Sequence, residues 1–315
     1  MSDVVTIGES LVALIPDSHT KLRYVQNFTK TVAGAESNVA VGLAKLGHRA
    51  SWLSKVGDDE FGHYVIRELR AEGVDTDAVI FDGDHPTGLM IKEFSPSLQS
   101  SVYYYRKGSA ASTLKCDDID WDFLAQAKII HISGITAAIS ASSRQMVYAV
   151  AEFAKQHGIL FSFDPNIRRK LWSLEEATEA LVPLFSLADI VLLGDEEAQI
   201  LLQTDEQEQV ASALHARGAR WVALKQGAEG AYVSDGKTGI SIPAEPVQVA
   251  DTIGAGDAFN AGFLAGILEG KTVAECGRMG AVMGALAVAS YGDTDGLPDR
   301  KDFDAMMNNI QEVYR

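Results

Sequence analysis

The chain has 315 residues, 47% of them hydrophobic, and a formal net charge of −16. This length suffices for the core of one large α/β domain, and the charge argues against a polyanionic partner such as duplex DNA. There is no apolar run of about eighteen residues and no basic leader with an apolar core, so neither a membrane span nor secretion is expected. Cys116 and Cys276 form no metal-binding pattern, so we expect ordinary thiols in a reducing, cytoplasmic setting.

Strand-like and helical patterns alternate along the chain. The segment "VVTIGE" (4–9) predicts a buried strand, and "AESNVAVGLAKLG" (35–47) predicts a helix with one apolar face. The strand "ASWLSKVG" (50–57) and the helix "FGHYVIRELRAEG" (61–73) follow, and the alternation continues to the strand "RWVALKQG" (220–227). This order is typical of a mostly parallel sheet with helices on both faces, and we expect one domain over residues 1–315.

Two segments interrupt the alternation. Residues 11–32 and 87–108 have the pattern of β-hairpins without an intervening helix. We interpret them as a small β-sheet lid over the carboxyl ends of the core strands, where ligands bind in open α/β folds. Decorative edge strands are the alternative, but the tyrosine and arginine residues of the second hairpin favour a lid. An exposed lid sheet would also be the surface through which a homo-oligomer forms.

The segment "DTIGAGDAFNAGF" (251–263) places a carboxylate, Asp257, beside glycines at the predicted start of a helix. The backbone N–H groups of Gly254, Ala255 and Gly256 can converge there on an anion, and the helix dipole adds to the attraction. Phosphoryl transfer needs such an anion hole and a base that accepts the proton of the attacking hydroxyl. Asp257 suits the second task, although an aspartate here can also be a simple helix N-cap.

The same segment resembles the C-terminal signature of the ribokinase-like sugar kinases, the PfkB family. The stretch "AGAESNVAVGLAKLG" (33–47) resembles the family's N-terminal signature, in which a glycine pair and an asparagine contact the sugar. "SKVGDDEFG" (54–62) and "LKQGAEGAY" (224–232) resemble further family segments in the same order. The resemblance implies a ribokinase-like three-layer α/β/α core with a mostly parallel sheet and a small β-sheet lid. It also implies an ATP-dependent kinase that acts on a sugar-like alcohol.

The resemblance implies roles for individual residues, with Asp257 as the catalytic base. ATP needs Mg²⁺ to neutralise its phosphates. The family's Asn-x-x-Glu motif near the metal is here "GDEE" (194–197), so Gly194 replaces the asparagine. Glu197 could act on the metal through water or could be an ordinary first-turn helix acid, and Lys225 could equally be a solvated lysine. The implied ATP-binding residues are Asn166, Lys225, Gly227, Gly230, Gly254, Gly256 and Asn260.

Two arginines from separate segments favour an acidic acceptor. Tyr104 and Arg106 are two residues apart, which places both on one face of a strand. Arg168 follows the predicted strand "LFSF", in the loop at its carboxyl end. Two arginines at one pocket suit a carboxylate, which arginine binds in bidentate fashion. Alternatively, Arg106 binds an ATP phosphate, and the tyrosines at 103–105 are ordinary strand packing.

Within the family, "AGAESN", "YYRKGSAAS", "HISGIT", "NIRRKLW" and "GDTDGLP" resemble segments of the 2-keto-3-deoxygluconate kinases. This resemblance implies phosphorylation of 2-dehydro-3-deoxy-D-gluconate at its 6-hydroxyl by ATP. A lid tyrosine of some relatives is replaced by Met90, which would loosen specificity between epimers. The implied substrate-binding residues are Gly34, Ala35, Glu36, Ser37, Asn38, Tyr104, Arg106, Arg168, Asp257 and Asp293. The alternatives are a neutral-sugar kinase of the fructokinase or ribokinase type and a non-catalytic sugar-acid or nucleotide sensor.

Overall fold

A computed structural model describes residues 2–18, 20–94, 101–250, 252–290 and 292–308. The strands are β1 (Val4–Ile7), β2 (Leu11–Pro16), β3 (Phe28–Ala33), β4 (Ala50–Leu53), β5 (Lys55–Gly57), β6 (Ile80–Asp82), β7 (Leu89–Glu93), β8 (Ser101–Tyr105), β9 (Ile129–Ser133), β10 (Leu160–Asp164), β11 (Ile190–Gly194), β12 (Trp221–Lys225), β13 (Ala231–Ser234) and β14 (Gly239–Ile242).

The α-helices are α1 (Ala35–Lys45), α2 (Glu60–Ala71), α3 (Trp121–Leu124), α4 (Gly134–Ala138), α5 (Ala141–His157), α6 (Leu174–Leu181), α7 (Asp195–Leu202), α8 (Gln207–His215), α9 (Ala255–Leu268), α10 (Val273–Val288) and α11 (Arg300–Met307). In the part of the chain that the structure describes, none of them has the length and apolar character that a membrane crossing needs.

The core is an eight-stranded sheet in the order β14-β13-β12-β11-β10-β9-β1-β4. The six strands from β12 to β4 run parallel, whereas β13 and β14 are antiparallel. One apolar cluster packs α1, α2, α9 and α10 on one face, and a second packs α5, α6, α7 and α8 on the other. Strands covered on both faces are continuously apolar, as in β11, where Ile190, Val191, Leu192 and Leu193 are all buried. The predicted three-layer α/β/α core with a mostly parallel sheet is confirmed.

The segment 50–57 was predicted as a single strand, and that prediction is wrong. β4 pairs with β1 in the core sheet, whereas β5 pairs with β6 in a separate two-stranded sheet. Trp52 fixes the first of these strands, because it is fully buried and its indole nitrogen donates to the carbonyl of Gly8 at 3.1 Å. The chain leaves the core sheet at Ser54, a small buried residue that does not interrupt the strand-like pattern.

The two hairpins form a second sheet of four strands in the order β3-β2-β7-β8. A parallel pairing of β2 with β7 joins the hairpins, and each hairpin is antiparallel within itself. Leu11, Ala13 and Met90 form a small buried cluster in this sheet, while Tyr103 and Tyr105 are 46% and 63% exposed. Part of the second hairpin, residues 95–100, lies outside the described residues. The predicted small β-sheet is therefore present, and it has both a buried and an exposed side.

Candidate active site

A cavity of about 460 Å³ lies between the lid sheet and the carboxyl ends of the core strands. The lid contributes Leu11, Met90 and Lys92, and the segment after β1 contributes Glu9. Most of the predicted site residues meet here. Those that line this first cavity are Gly34, Ala35, Asn38, Tyr104, Arg106, Asn166, Arg168, Glu197, Lys225, Gly254, Gly256, Asp257 and Asp293.

A second cavity of about 630 Å³ adjoins the first one. Its lining is mainly apolar and includes Val247, Val249 and Phe259, together with the predicted residues Gly227 and Gly230. Three residues border both cavities, and they are Lys225, Thr252 and Gly256. The two cavities therefore meet at the amino end of α9, one polar and one apolar, as an acceptor and a nucleotide base would require.

The amino end of α9 forms the shared wall. Gly254 is the residue before the helix, with a left-handed φ of 81°, and a Cβ there would lie 2.6 Å from the carbonyl oxygen of Asp293. No side chain among the described residues caps this end, and the N–H groups of Ala255, Gly256 and Asp257 have no acceptor within the helix. Asp257 is the third helical residue, so its interpretation as the N-cap is wrong.

The Asp257 carboxylate lies against the first turn of α1. Its Oδ2 accepts a hydrogen bond of 2.9 Å from the Nδ2 of Asn38. Burial raises the pKa of Asp257 to about 7, although the hydrogen bond from Asn38 opposes this rise. The charge of Asp164 raises the pKa further, while Arg168 and Lys225 lower it. A carboxyl group with a pKa near neutrality can both accept and release a proton near pH 7, as a general base must.

Lys225 belongs to a buried polar network and is not a solvated lysine. Its Nζ lies 2.8 Å from the Oδ2 of Asp164 and 3.2 Å from the Oδ1 of Asn260. Asn260 in turn donates to the same Asp164 oxygen at 2.6 Å. Asn260 is fully buried and borders neither cavity, so it acts on a ligand through Lys225 and Asp164, which both line the first cavity. Sequence reasoning missed Asp164, whose available signal was its place at the end of the buried strand β10.

Glu197 lines the first cavity with a carboxylate that is already hydrogen-bonded. Its Oε1 accepts from the N–H of Ile167 and its Oε2 from the N–H of Gly194, both at 2.8 Å. Burial and then the charge of Asp164 raise the pKa of Glu197. Within the described ranges, no three His, Cys, Asp or Glu side chains form a group that could hold a metal ion alone. Glu197 thus suits contact with a hydrated ion better than direct ligation.

The two arginines of the first cavity differ in their pairing. The Nε of Arg106 donates to Glu9 at 2.6 Å, and its Nη2 contacts the same carboxylate. The Glu9 side chain is 1% exposed and also accepts from the hydroxyl of Ser109. Arg168 is exposed, and its guanidinium makes no hydrogen bond or ion pair with any residue that the structure describes. One guanidinium is therefore largely neutralised, and the other is available to a ligand.

Three lid residues complete the wall of the first cavity. Tyr104 is 38% exposed, with the guanidinium carbon of Arg106 and the Nζ of Lys170 each 5.7 Å from its ring centroid. Lys92, which was not predicted, forms a buried ion pair of 3.4 Å with Asp293. Met90 lies opposite Tyr104 in the strand pairing and borders the cavity. The lid thus brings both aromatic and cationic groups to the acceptor side.

Glu36 and Ser37 do not line the cavity, so their prediction as substrate contacts needs correction. Both side chains are buried, and Ser37 is hydrogen-bonded to Ser10 at 2.6 Å. In a helix, residues three apart share a face, so Ala35 and Asn38 turn toward the cavity together. The two residues between them face the core.

Comparison with known proteins agrees with this geometry. Residues 1–300 match the model of the pfkB family carbohydrate kinases. The chain is 39% identical over 317 residues to the 2-dehydro-3-deoxygluconokinase of Bacillus subtilis (strain 168), covering 99% of this chain and 98% of that protein. The crystal structure of a PfkB protein from Polaromonas sp. JS666 matches with a TM-score of 0.90 and 37% identity, over 97% of this chain and 100% of that one. The structure of a putative ribokinase II from E. coli in complex with ATP and Mg²⁺ matches with a TM-score of 0.91 and 25% identity, over 98% of this chain and 100% of that one. The chain belongs to the PfkB family of carbohydrate kinases, which confirms the family predicted from its signatures.

Proposed function

We propose that this kinase transfers the γ-phosphoryl group of ATP to the 6-hydroxyl of 2-dehydro-3-deoxy-D-gluconate. The observation that carries the choice of acceptor is Arg168, a cation at the first cavity whose guanidinium makes no hydrogen bond or ion pair with a described residue. A sugar acid supplies the carboxylate that such a guanidinium binds in bidentate fashion. The full-length similarity to a 2-dehydro-3-deoxygluconokinase supports the same acceptor.

In the proposed reaction, the sugar acid occupies the first cavity and the nucleotide base the second. The 6-hydroxyl oxygen attacks the γ-phosphorus, the bond to the β,γ-bridging oxygen breaks, and ADP leaves. Asp257 takes the hydroxyl proton on Oδ1, because Oδ2 is held by Asn38. The N–H groups at the start of α9 stabilise the charge on the moving phosphoryl group, since they border both cavities and need no side chain.

ATP with Mg²⁺ is the proposed phosphoryl donor, and the similar E. coli protein was solved with both. The charge of Asp164 raises the pKa of Glu197, so these two cavity carboxylates repel each other and a cation between them would offset that repulsion. Because both already accept hydrogen bonds, they would hold Mg²⁺ through its water ligands. When bound, the ion neutralises phosphate charge. Gly194 offers no side chain at the family's asparagine position.

The lid sheet is proposed to exclude water, which would otherwise compete with the sugar as acceptor. Two ion pairs tie it to the core, one between Arg106 and Glu9 and the other between Lys92 and Asp293. We also propose that the exposed side of the lid, with Tyr105 63% exposed, is the contact surface of a homo-oligomer.

The test is an ATP-dependent kinase assay on 2-dehydro-3-deoxygluconate and fructose side by side, with Asp257→Ala as the control. Turnover of the acid alone, lost in the variant, is the expected result. The neutralised Arg106 favours a neutral-sugar kinase as the second candidate, and turnover of fructose alone would select it. Binding of either compound without turnover would instead indicate a non-catalytic sensor.

A further inference from the structure

Glu36 is a buried acid that the proposed reaction does not use. It is the second residue of α1, and its side chain is inaccessible to solvent. Its Oε1 accepts three hydrogen bonds, from the N–H of Ser133 at 3.0 Å and from the hydroxyls of Ser133 and Thr136, each at 2.7 Å. Its Oε2 has no hydrogen-bond partner in the part of the chain that the structure describes. A buried carboxyl group without a cation is costly, which calls for a specific role.

The residues around the Glu36 carboxyl group pack tightly against it. A Cβ at Gly8, directly after β1, would overlap the Glu36 carboxyl carbon. Ser133 ends β9, and Thr136 lies in the helix that follows it. The carboxyl group is therefore wedged between the ends of two adjacent core strands, and it fastens the first turn of α1 to them. Burial also raises its pKa, which favours the neutral acid.

The same turn of α1 carries Asn38, the hydrogen-bond donor to Asp257. α1 packs closely on α9, since a Cβ at Gly42 would lie 2.6 Å from the Cβ of Ala261. The distance between Asn38 and Asp257 thus depends on where the first turn of α1 sits relative to α9. Three other charged groups act on Asp257, and they are Asp164 at the end of β10, Arg168 in the loop that follows and Lys225 at the end of β12.

We propose that Glu36 is a positioning residue for the base. By fastening the first turn of α1 to the ends of β1 and β9, it holds Asn38 against Asp257 and so sets the proton affinity of that carboxylate. Glu36 touches neither cavity and acts only through Asn38. The catalytic meaning of this arrangement rests on the proposed role of Asp257 as the base.

The test measures the pKa of Asp257 directly by ¹³C NMR of aspartate carboxyl groups, with the resonance assigned by Asp257→Asn. Glu36→Ala should raise this pKa by roughly one unit, because the carboxylate loses a charge-assisted hydrogen bond. Glu36→Gln should leave it near the native value, since the amide oxygen can accept the same three bonds. The acid limb of kcat/KM should move to higher pH with the same order of variants.

Three variants separate positioning from general damage. Asn38→Ala should raise the pKa of Asp257 by itself, and Glu36→Ala should add nothing in that background, because coupled residues are not additive. Leu43→Ala, a fully buried change on the same helix, should lower stability without moving the pKa. If Glu36→Ala does not fold, Thr136→Val removes one of the three donors and should give a smaller shift in the same direction.

An unchanged Asp257 pKa in Glu36→Ala would overturn the inference, as would a shift of equal size in the Asn38→Ala background. The NMR measurement needs no turnover. If the wild-type protein phosphorylates no sugar acid, the proposed function fails while this positioning role is still tested.

Discussion

Alanine replacements of the two arginines should have different effects: Arg106→Ala should lower the stability of the protein, and Arg168→Ala should weaken acceptor binding. Arg106→Ala leaves Glu9 as an unpaired carboxylate whose side chain is 1% exposed. Breaking a buried pair by removing one partner costs about 3 kcal/mol. For a chain of this size, that corresponds to a decrease in Tm of roughly 6 °C or more.

Arg168→Ala should behave differently, because its side chain is exposed and pairs with no described residue. The free energy of unfolding should change by less than about 0.5 kcal/mol. A hydrogen bond to a charged group is worth about 1.5–3 kcal/mol, so kcat/KM for the sugar acid should fall roughly 10- to 100-fold. Arg168 also lowers the pKa of Asp257, so activity on a neutral sugar should not change when it is measured well above that pKa.

The assays are calorimetric unfolding and steady-state kinetics on both acceptors. As a control, the double variant E9L/R106M replaces the ion pair by apolar groups and should recover most of the stability that Arg106→Ala loses. A native Tm for Arg106→Ala would refute the view that Glu9 needs its partner. Equal losses of activity on both acceptors in Arg168→Ala would refute its role in recognising a carboxylate.

Three further predictions follow from single groups. Because the pKa of Asp257 is about 7, kcat/KM at saturating ATP should fall about tenfold from pH 8 to pH 6. Asp257→Asn should abolish turnover yet raise the free energy of unfolding at pH 8 by about 2 kcal/mol after allowing for partial exposure. The pKa of Asp257 in the folded protein lies above its unfolded value of 3.8, so the wild-type protein loses stability as the pH rises from about 4 toward 7. Urea titrations should therefore show that the stability advantage of Asp257→Asn vanishes near pH 4. Gly230→Ala should cost more than about 1 kcal/mol and raise KM for ATP, because φ is 100° and its Cβ would overlap the carbonyl of Ile242. The control Gly270→Ala, with φ 67° and open space around it, should leave KM for ATP unchanged.

The strands and helices could be predicted from the sequence because each depends on a pattern of a few consecutive residues. The continuous apolar run 190–193 of β11 indicates a strand covered on both faces, and the glycines before Asp257 indicate a helix start that exposes N–H groups. The break within residues 50–57 was not predictable, since the pattern of apolar residues continues through Ser54 while the pairing partner changes from β1 to β6.

Site residues that lie together in one sequence signature could be predicted. Contacts between residues that are far apart in the sequence could not. Glu9 and Arg106 are 97 residues apart, and no local pattern links them. The same holds for Lys225 and Asp164, which are 61 residues apart. Inside the signature at 34–38, the face that each side chain takes depends on the residue at which α1 begins. If α1 began one residue later, Glu36 would take the place of Ala35 and face the cavity. The end of a helix cannot be predicted to within one residue.

At the wall between the two cavities, the proposed phosphate contacts come from the backbone and the proposed acceptor contacts come from side chains, and this difference has an evolutionary consequence. In the proposed reaction, backbone N–H groups at the start of α9 contact the phosphate, and most substitutions cannot remove a backbone N–H group. The proposed acceptor contacts are side chains such as Tyr104, Arg106 and Arg168, which line the first cavity and which a single codon change can replace. A lineage built on this fold can therefore exchange one sugar for another while phosphoryl transfer persists throughout. Substitutions can therefore change which acceptor is bound more easily than they can remove phosphoryl transfer.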